Sequence, residues 1–270
     1  AAGNEGSEER TVTVDQNADR PVIRFTNISL AGMTSATPVW FKGSDTIYGS
    51  ITDDDGEVIS FQYSTDNGST WTPITISGGS WNLTLSDGPK TILFKVTDAK
   101  GTEFISATAA STSAPKLTDG TNTFGEGASP DSTLYLNVDT QAPTITSLTA
   151  EVDTSPATDV AGKYVNKAMV GKKLTVRATV SDNFSLGIDD AAVQTNITAT
   201  AKHNGTAYSG SGITITKTPS SDKKSAEVTF ELTIPSDNTK DGAWVFTVGA
   251  KDAAGISAAA EQSVGVTVDT

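Results

Sequence analysis

"LYLNVDTQAP" (Leu134–Pro143) decides how this 270-residue chain is read. Leu134, Leu136 and Val138 alternate with Tyr135 and Asn137, the period of a strand with one buried face. Asp139 closes the run. Pro143 restricts the backbone of the residue before it, so a new segment begins there. The same ending recurs in "TVTVD", closing at Asp15, and in "VGVTVD", closing at Asp269. The three endings lie about 125–130 residues apart, a spacing that suits whole domains rather than short solenoid or propeller repeats.

The pattern on either side of the junction agrees. The first unit reads "DTIYGSI", the acidic loop "TDDDGE", "VISFQYS", the pair Asn67-Gly68, "WTPITI", "WNLTL", Asp87-Gly88, "TILFKV" and "DAKG" (Asp98–Gly101). The second reads "KLTVRATV", "SDNFSLGIDD", "VQTNITATAKHNGTAY", "GITITKT", "AEVTFELTI", Asp241-Gly242, "WVFTVGA" and "DAAG" (Asp252–Gly255). Short alternating runs separated by Asn-Gly, Asp-Gly and Gly-Gly signals are strands joined by tight turns. No helical periodicity stands out. The expected organisation is residues 15–139 as one domain, with a Ser/Thr/Gly/Pro-rich insertion at about 107–131, and 140–270 as the next. Residues 1–14 are expected to be the last strand of a preceding repeat, because "AAGNEGSEERTVTVD" resembles Lys251–Asp269. The strand Thr11–Val14 could equally pair with an exposed sheet edge.

Composition narrows the function classes. Hydrophobic residues make up 36% of the chain and there is no cysteine, so neither a disulfide framework nor a thiolate metal site is possible. A formal net charge of -13 argues against nucleic acid, whose phosphates would be repelled. No apolar run is long enough to span a membrane. The expected core of the first unit is Trp40 or Phe41, Ile47, Ile59, Phe61, Leu83, Phe94 and Val96. In the second it is Leu174, Val176, Val228, Phe230, Leu232, Trp244 or Val245, Phe246 and Val248.

Asp-Gly before an aromatic-rich strand, D-x-x-G after it and the closing V-D-T-x-A-P, in that order, resemble tandem bacterial immunoglobulin-like domains, the repeats of long surface adhesins. "VSDNFSL" (Val180–Leu186) is similar to that family's first acidic loop. The resemblance implies an all-β fold of two tandem immunoglobulin-like β-sandwiches. It further implies a structural or stalk segment outside the bacterial cell, whose partners are neighbouring repeats and a cell-surface glycan or protein. Units longer than usual for such repeats, and Gln16–Pro21 in place of Thr-x-Ala-Pro after Asp15, depart from the pattern.

"STDNGSTW" (Ser64–Trp71) matches S-x-D-x-G-x-T-W, the Asp-box of sialidases and related propellers. It occurs once, and Arg10, Arg20, Arg24 and Arg177 do not suggest a carboxylate-binding cluster. It therefore reads as a hairpin and the chain as no enzyme. His203, the single histidine, sits beside Asn204-Gly205 and reads as a solvated turn residue. The alternatives are a binding module using Trp71, Trp81 or the insertion around Phe124, and an accessory region of a glycan-active enzyme.

The acidic loops offer more chemistry. In a sandwich of this type the loops after the second, fourth and sixth strands gather at one pole, where the chain also enters. Asp139, Asp182, Asn183 and Asp252 should therefore meet in the second unit. Asp15, Asp53, Asp54, Asp55 and Asp98 should do so in the first. Calcium takes six to eight oxygens from such groups, and it relieves the repulsion of carboxylates left without basic neighbours. Asp, Asn and Gly are also ordinary turn formers. The spacing alone does not choose between the two; the resemblance to adhesin arrays, some of which bind calcium at their junctions, adds weight to the metal.

Overall fold

The computed structural model describes residues 19–270. The strand Thr11–Val14 and Asp15 lie outside the described residues. The chain divides into two compact units, the first ending at Val138 and the second running from Asp139 to Thr270. Each is an immunoglobulin-like β-sandwich.

In the first unit one sheet runs β11 (Thr123–Phe124), β10 (Lys116–Thr118), β1 (Val22–Phe25), β3 (Thr46–Thr52), β7 (Ser80–Thr84), β6 (Ile76–Ser77). The other runs β2 (Val39–Lys42), β12 (Leu134–Asp139), β8 (Gly88–Thr97), β4 (Ser60–Ser64), β5 (Thr72–Pro73), with β9 (Glu103–Ile105) beside β8. Alternation does the sorting: Ile47, Gly49 and Ile51 of β3 point inward while Tyr48 is half exposed. The inner faces bury Phe25, Phe61, Leu83, Ile92, Phe94 and Val96 in one cluster. Burying a side chain of this size contributes about 1.5–3 kcal/mol each.

The insertion is part of the sheet. Its β10 runs parallel to β1 and pairs Leu117 with Ile23. Arg20, 4% exposed, secures it by donating from Nε to the Ala114 carbonyl (2.6 Å) and from a terminal nitrogen to the Gly125 carbonyl (2.8 Å). A buried guanidinium needs such acceptors to offset its lost hydration.

In the second unit one sheet runs β15 (Thr158–Asp159), β14 (Thr149–Val152), β17 (Lys173–Ser181), β21 (Ser225–Thr233), β20 (Ile213–Pro219), with β13 (Thr144–Ile145) also on β17. The other runs β16 (Tyr164–Asn166), β23 (Gln262–Asp269), β22 (Gly242–Ala250), β18 (Ile197–His203), β19 (Thr206–Ala207). Val176, Val228, Phe230, Trp244, Phe246 and Val248 lie in its core.

Two expectations are corrected. A short helix, α1 (Asp190–Asn196), lies in the acidic loop after β17, where no helix was expected. Asp189 caps it by accepting from the Ala192 amide, and Lys217 Nζ donates to the carbonyls of Gln194 and Ile197 at its other end. Ile59 is 65% exposed: it precedes β4, and although its amide already bonds the Thr97 carbonyl of β8 its side chain stays in solvent. Of the paired alternatives, Phe41 and Trp244 are buried, whereas Val245 is 38% exposed. Among the described residues no helix is long and apolar enough to cross a membrane.

Candidate metal centres

Two groups of carboxylates form where the loops after β3 and β8, and after β17 and β22, come together. In the second unit, one oxygen each of Asp139, Asp182 and Asp252 lies within 4.8 Å of the others. Asp182 directly follows β17. Its Oδ1 accepts from the amides of Phe184 (2.7 Å) and Ser185 (2.8 Å), which starts the loop as an Asx turn. Asp252 opens the turn after β22. Its Oδ1 accepts from the Ile256 amide (2.8 Å), its own amide donates to the Ile256 carbonyl, and its carbonyl accepts from Gly255. Asp139 is buried and its Oδ1 accepts from the Gln141 amide (3.3 Å).

Each loop aspartate thus spends one oxygen on its own turn. The second oxygen of Asp182 and of Asp252 is sealed from solvent and receives no donor. These residues are 9% and 1% exposed. Burial raises the Asp252 carboxyl above its ordinary range, the Ile256 amide opposes it, and the Asp182 charge raises it further. Carboxylate oxygens shut away from water without donors are costly, and a hard cation is the partner that satisfies several at once. The donor set is of the kind hard cations such as calcium take: three carboxylates with one converging oxygen each. Asn183 is exposed, and its carbonyl accepts from Lys224 Nζ (3.0 Å).

In the first unit Asp53, Asp55 and Asp98 lie together in the same way, and Asp19, Asp54 and Asp55 form an adjoining group. Asp98 repeats the turn of Asp252. Its Oδ1 accepts from the amides of Lys100 (2.9 Å) and Thr102 (2.6 Å), and its carbonyl accepts from Gly101. Asp53 Oδ1 and Asp55 Oδ2 are sealed and have no donor. Burial is the main cause that raises the Asp53 carboxyl. This cluster holds a basic group that the sequence reading missed: Lys100 Nζ is ion-paired with Asp55 Oδ1. A lysine inside D-x-x-G was the available signal. The Asp15 expected here lies outside the described residues.

The Ser64–Trp71 hairpin consumes its own chemistry. Asp66 Oδ1 accepts from the Ser64 hydroxyl (2.7 Å) and the Thr70 amide (2.9 Å), and Oδ2 from the Thr70 hydroxyl (2.6 Å). These bonds, led by that of the Thr70 hydroxyl, hold the Asp66 carboxyl down at about 2. Arg177 pairs with Glu227, and Arg20 is committed to the insertion. Trp81 is buried, which removes it as a surface binding residue. Trp71 and Phe124 are half-buried, with Lys95 Nζ 5.3 Å from the Trp71 ring. His203 is not a solvated turn residue. It is half-buried and stacks on Trp244 with ring centroids 4.4 Å apart, and its Nε2 lies 2.8 Å from the Asp241 carbonyl.

No family model matches the chain, and no curated protein matches it. Among solved structures, the crystal structure of Rst D1-D2 is 13% identical, covers 92% of this chain and 98% of its own, and gives a TM-score of 0.42. Titin A168169 is 10% identical, with 92% and 97% covered and a TM-score of 0.36. A structure of Dpr2 Ig1-Ig2 in complex with DIP-Theta Ig1-Ig3 is 7% identical, with 92% and 99% covered and a TM-score of 0.29.

Proposed function

We propose that the two units are structural modules of an adhesin-type protein on the bacterial surface, and that Asp139, Asp182 and Asp252 hold calcium. The carrying observation is the pair of sealed carboxylate oxygens, on Asp182 and Asp252, that receive no donor. The bound ion supplies positive charge that compensates the clustered carboxylates. The residues supply the rest. Asp182 and Asp252 are pre-set by their own turns, so little ordering is left for binding to impose. Asp139 is the last residue of β12 and the first of the second unit, and its carboxylate completes the group within that unit. The partners of such modules are neighbouring repeats of the same polypeptide and a glycan or protein of a cell surface. Nothing in this function calls for catalysis.

Calorimetric titration of the full chain with calcium is the test. Modules of this kind bind with Kd of about 10⁻⁴–10⁻³ M. At calcium ten times Kd the second unit should gain about 1.4 kcal/mol and melt higher than in chelator. Asp252→Asn should remove both the binding heat and the melting shift. Identical melting in calcium and in chelator, with no binding heat, would discard the metal reading.

A further inference from the structure

The turns after β8 and β22 are built alike. Asp98 and Asp252 each bond their Oδ1 to the amide four residues on, their own amide to that residue's carbonyl, and their carbonyl to the glycine three residues on. One position between them differs in charge. The third residue of the turn is Ala254 in the second unit, 7% exposed, and Lys100 in the first. The Lys100 ammonium reaches back across its own turn to Asp55 Oδ1, while its amide bonds Asp98 Oδ1. The charges that act most on it are acidic: Asp55, Asp19 and Asp98.

We propose that Lys100 is the resident cation of the first cluster, a tethered ammonium held at its rim on Asp55 Oδ1, and that it lowers the divalent-ion affinity of this cluster below that of the second. The inference rests on the reading of the second cluster as a cation site. A side chain attached to the turn is present at high local concentration and needs no ordering from solution. An incoming divalent ion must compete with it for Asp55. Its single charge offsets one of three carboxylates, which leaves the sealed oxygens Asp53 Oδ1 and Asp55 Oδ2 without donors. The Lys100 side chain is 67% exposed, so the ammonium can swing into water when displaced. The cluster is therefore weakened toward calcium rather than closed to it. Lys100 determines occupancy without belonging to the ligand set.

The test is calcium titration of the full chain followed by amide NMR at Thr102 and Ile256, the donors to Asp98 and Asp252. In the wild type Ile256 should saturate at lower calcium than Thr102. In Lys100→Gln, which stays polar and loses the charge, the Thr102 midpoint should fall about fivefold, the worth of a strong exposed ion pair. The Ile256 midpoint should stay where it is. Lys100→Ala, which copies the second unit, should match Lys100→Gln. A Thr102 midpoint unchanged by both variants overturns the proposal, as does a Thr102 resonance that never responds to calcium. A silent Ile256 beside a Thr102 that responds more strongly in the variants would remove the calcium reading of the second cluster and keep the role of Lys100.

Discussion

Each unit seals one tryptophan in its core, and the two are accommodated by opposite means. Trp81 on β7 sits against Gly49 of β3, where a Cβ would fall 2.3 Å from the indole and 2.2 Å from the Arg24 carbonyl. Rings of Phe25 and Phe61 close on it at 5.5 Å each, and its buried Nε1 has no acceptor. Trp244 on β22 instead donates from Nε1 to the Lys240 carbonyl (2.8 Å), and it stacks between His203 and Phe246. A large ring can be fitted by deleting the neighbour's side chain or by giving its polar edge a partner. The first core takes ring contacts and leaves a donor unsatisfied. The second takes the hydrogen bond, and through His203 ties its Asn204-Gly205 hairpin to the core.

The comparison breaks most visibly at Gly49. Its backbone is not in the left-handed region, so the requirement is for space alone. Gly49→Ala should destabilise the first unit by about 3 kcal/mol through overpacking against the backbone carbonyl and the indole. Denaturant unfolding should show this in the first unit only. A first-unit midpoint that does not move would mean that Trp81 does not depend on the empty position.

Conversion of each tryptophan to phenylalanine sharpens the contrast. Trp244→Phe leaves the Lys240 carbonyl without its donor, whereas Trp81→Phe removes a donor that had no partner. With similar loss of ring volume, Trp244→Phe should be the costlier by about 1–2 kcal/mol. Equal losses, or the reverse order, would show that hydrogen bonding does not separate the two cores.

The smallest effect concerns the hairpins. Both turn on an Asn-Gly pair with positive φ, 59° and 82° in the first unit and 50° and 79° in the second. The first is locked by Asp66 and the second by the Asn204 amide oxygen, which accepts from the Ala243 amide (2.9 Å). Asp66 has an ordinary value of 3.8 and is held at about 2 in the fold. Its contribution is therefore fully present above about pH 4 and is lost as the pH falls through 2. Amide NMR of Thr70 should follow that window, and Asp66→Asn should abolish the response. Asn204 and Gly205 should not titrate there. A Thr70 midpoint at the ordinary value would mean that the loop's bonds do not hold the carboxylate.

Much of this was legible before any coordinates. Period-two runs and Asn-Gly or Asp-Gly pairs carry strands and turns because each depends on a few neighbouring residues. Loop order in a sandwich was enough to bring Asp139, Asp182 and Asp252 together, and Asp53, Asp55 and Asp98 likewise. Other features depend on what a side chain meets in space. The reach of Lys100 to Asp55 follows from the curl of its own turn. His203 finds Trp244 through cross-strand pairing of β18 with β22. The helix Asp190–Asn196 is too short to show a period and is identified by its Asp189 cap. Trp81 was the readable miss: its alternation with Leu83 and Leu85 already placed it on the buried face.

In the second unit β16 runs parallel to β23, pairing Tyr164 with Thr267, Val165 with Val268 and Asn166 with Asp269. Strand β23 leads straight to Thr270, which Asp241 holds through its amide and hydroxyl. Tension applied at Thr270 would draw β23 lengthwise past β16, so that their ladder bonds are loaded side by side and must yield together rather than peel one after another. The bonds of Thr270 to Asp241 would be loaded ahead of that ladder. Survival of the second unit under such a pull would be a rate set by the barrier to shearing, not by its equilibrium stability.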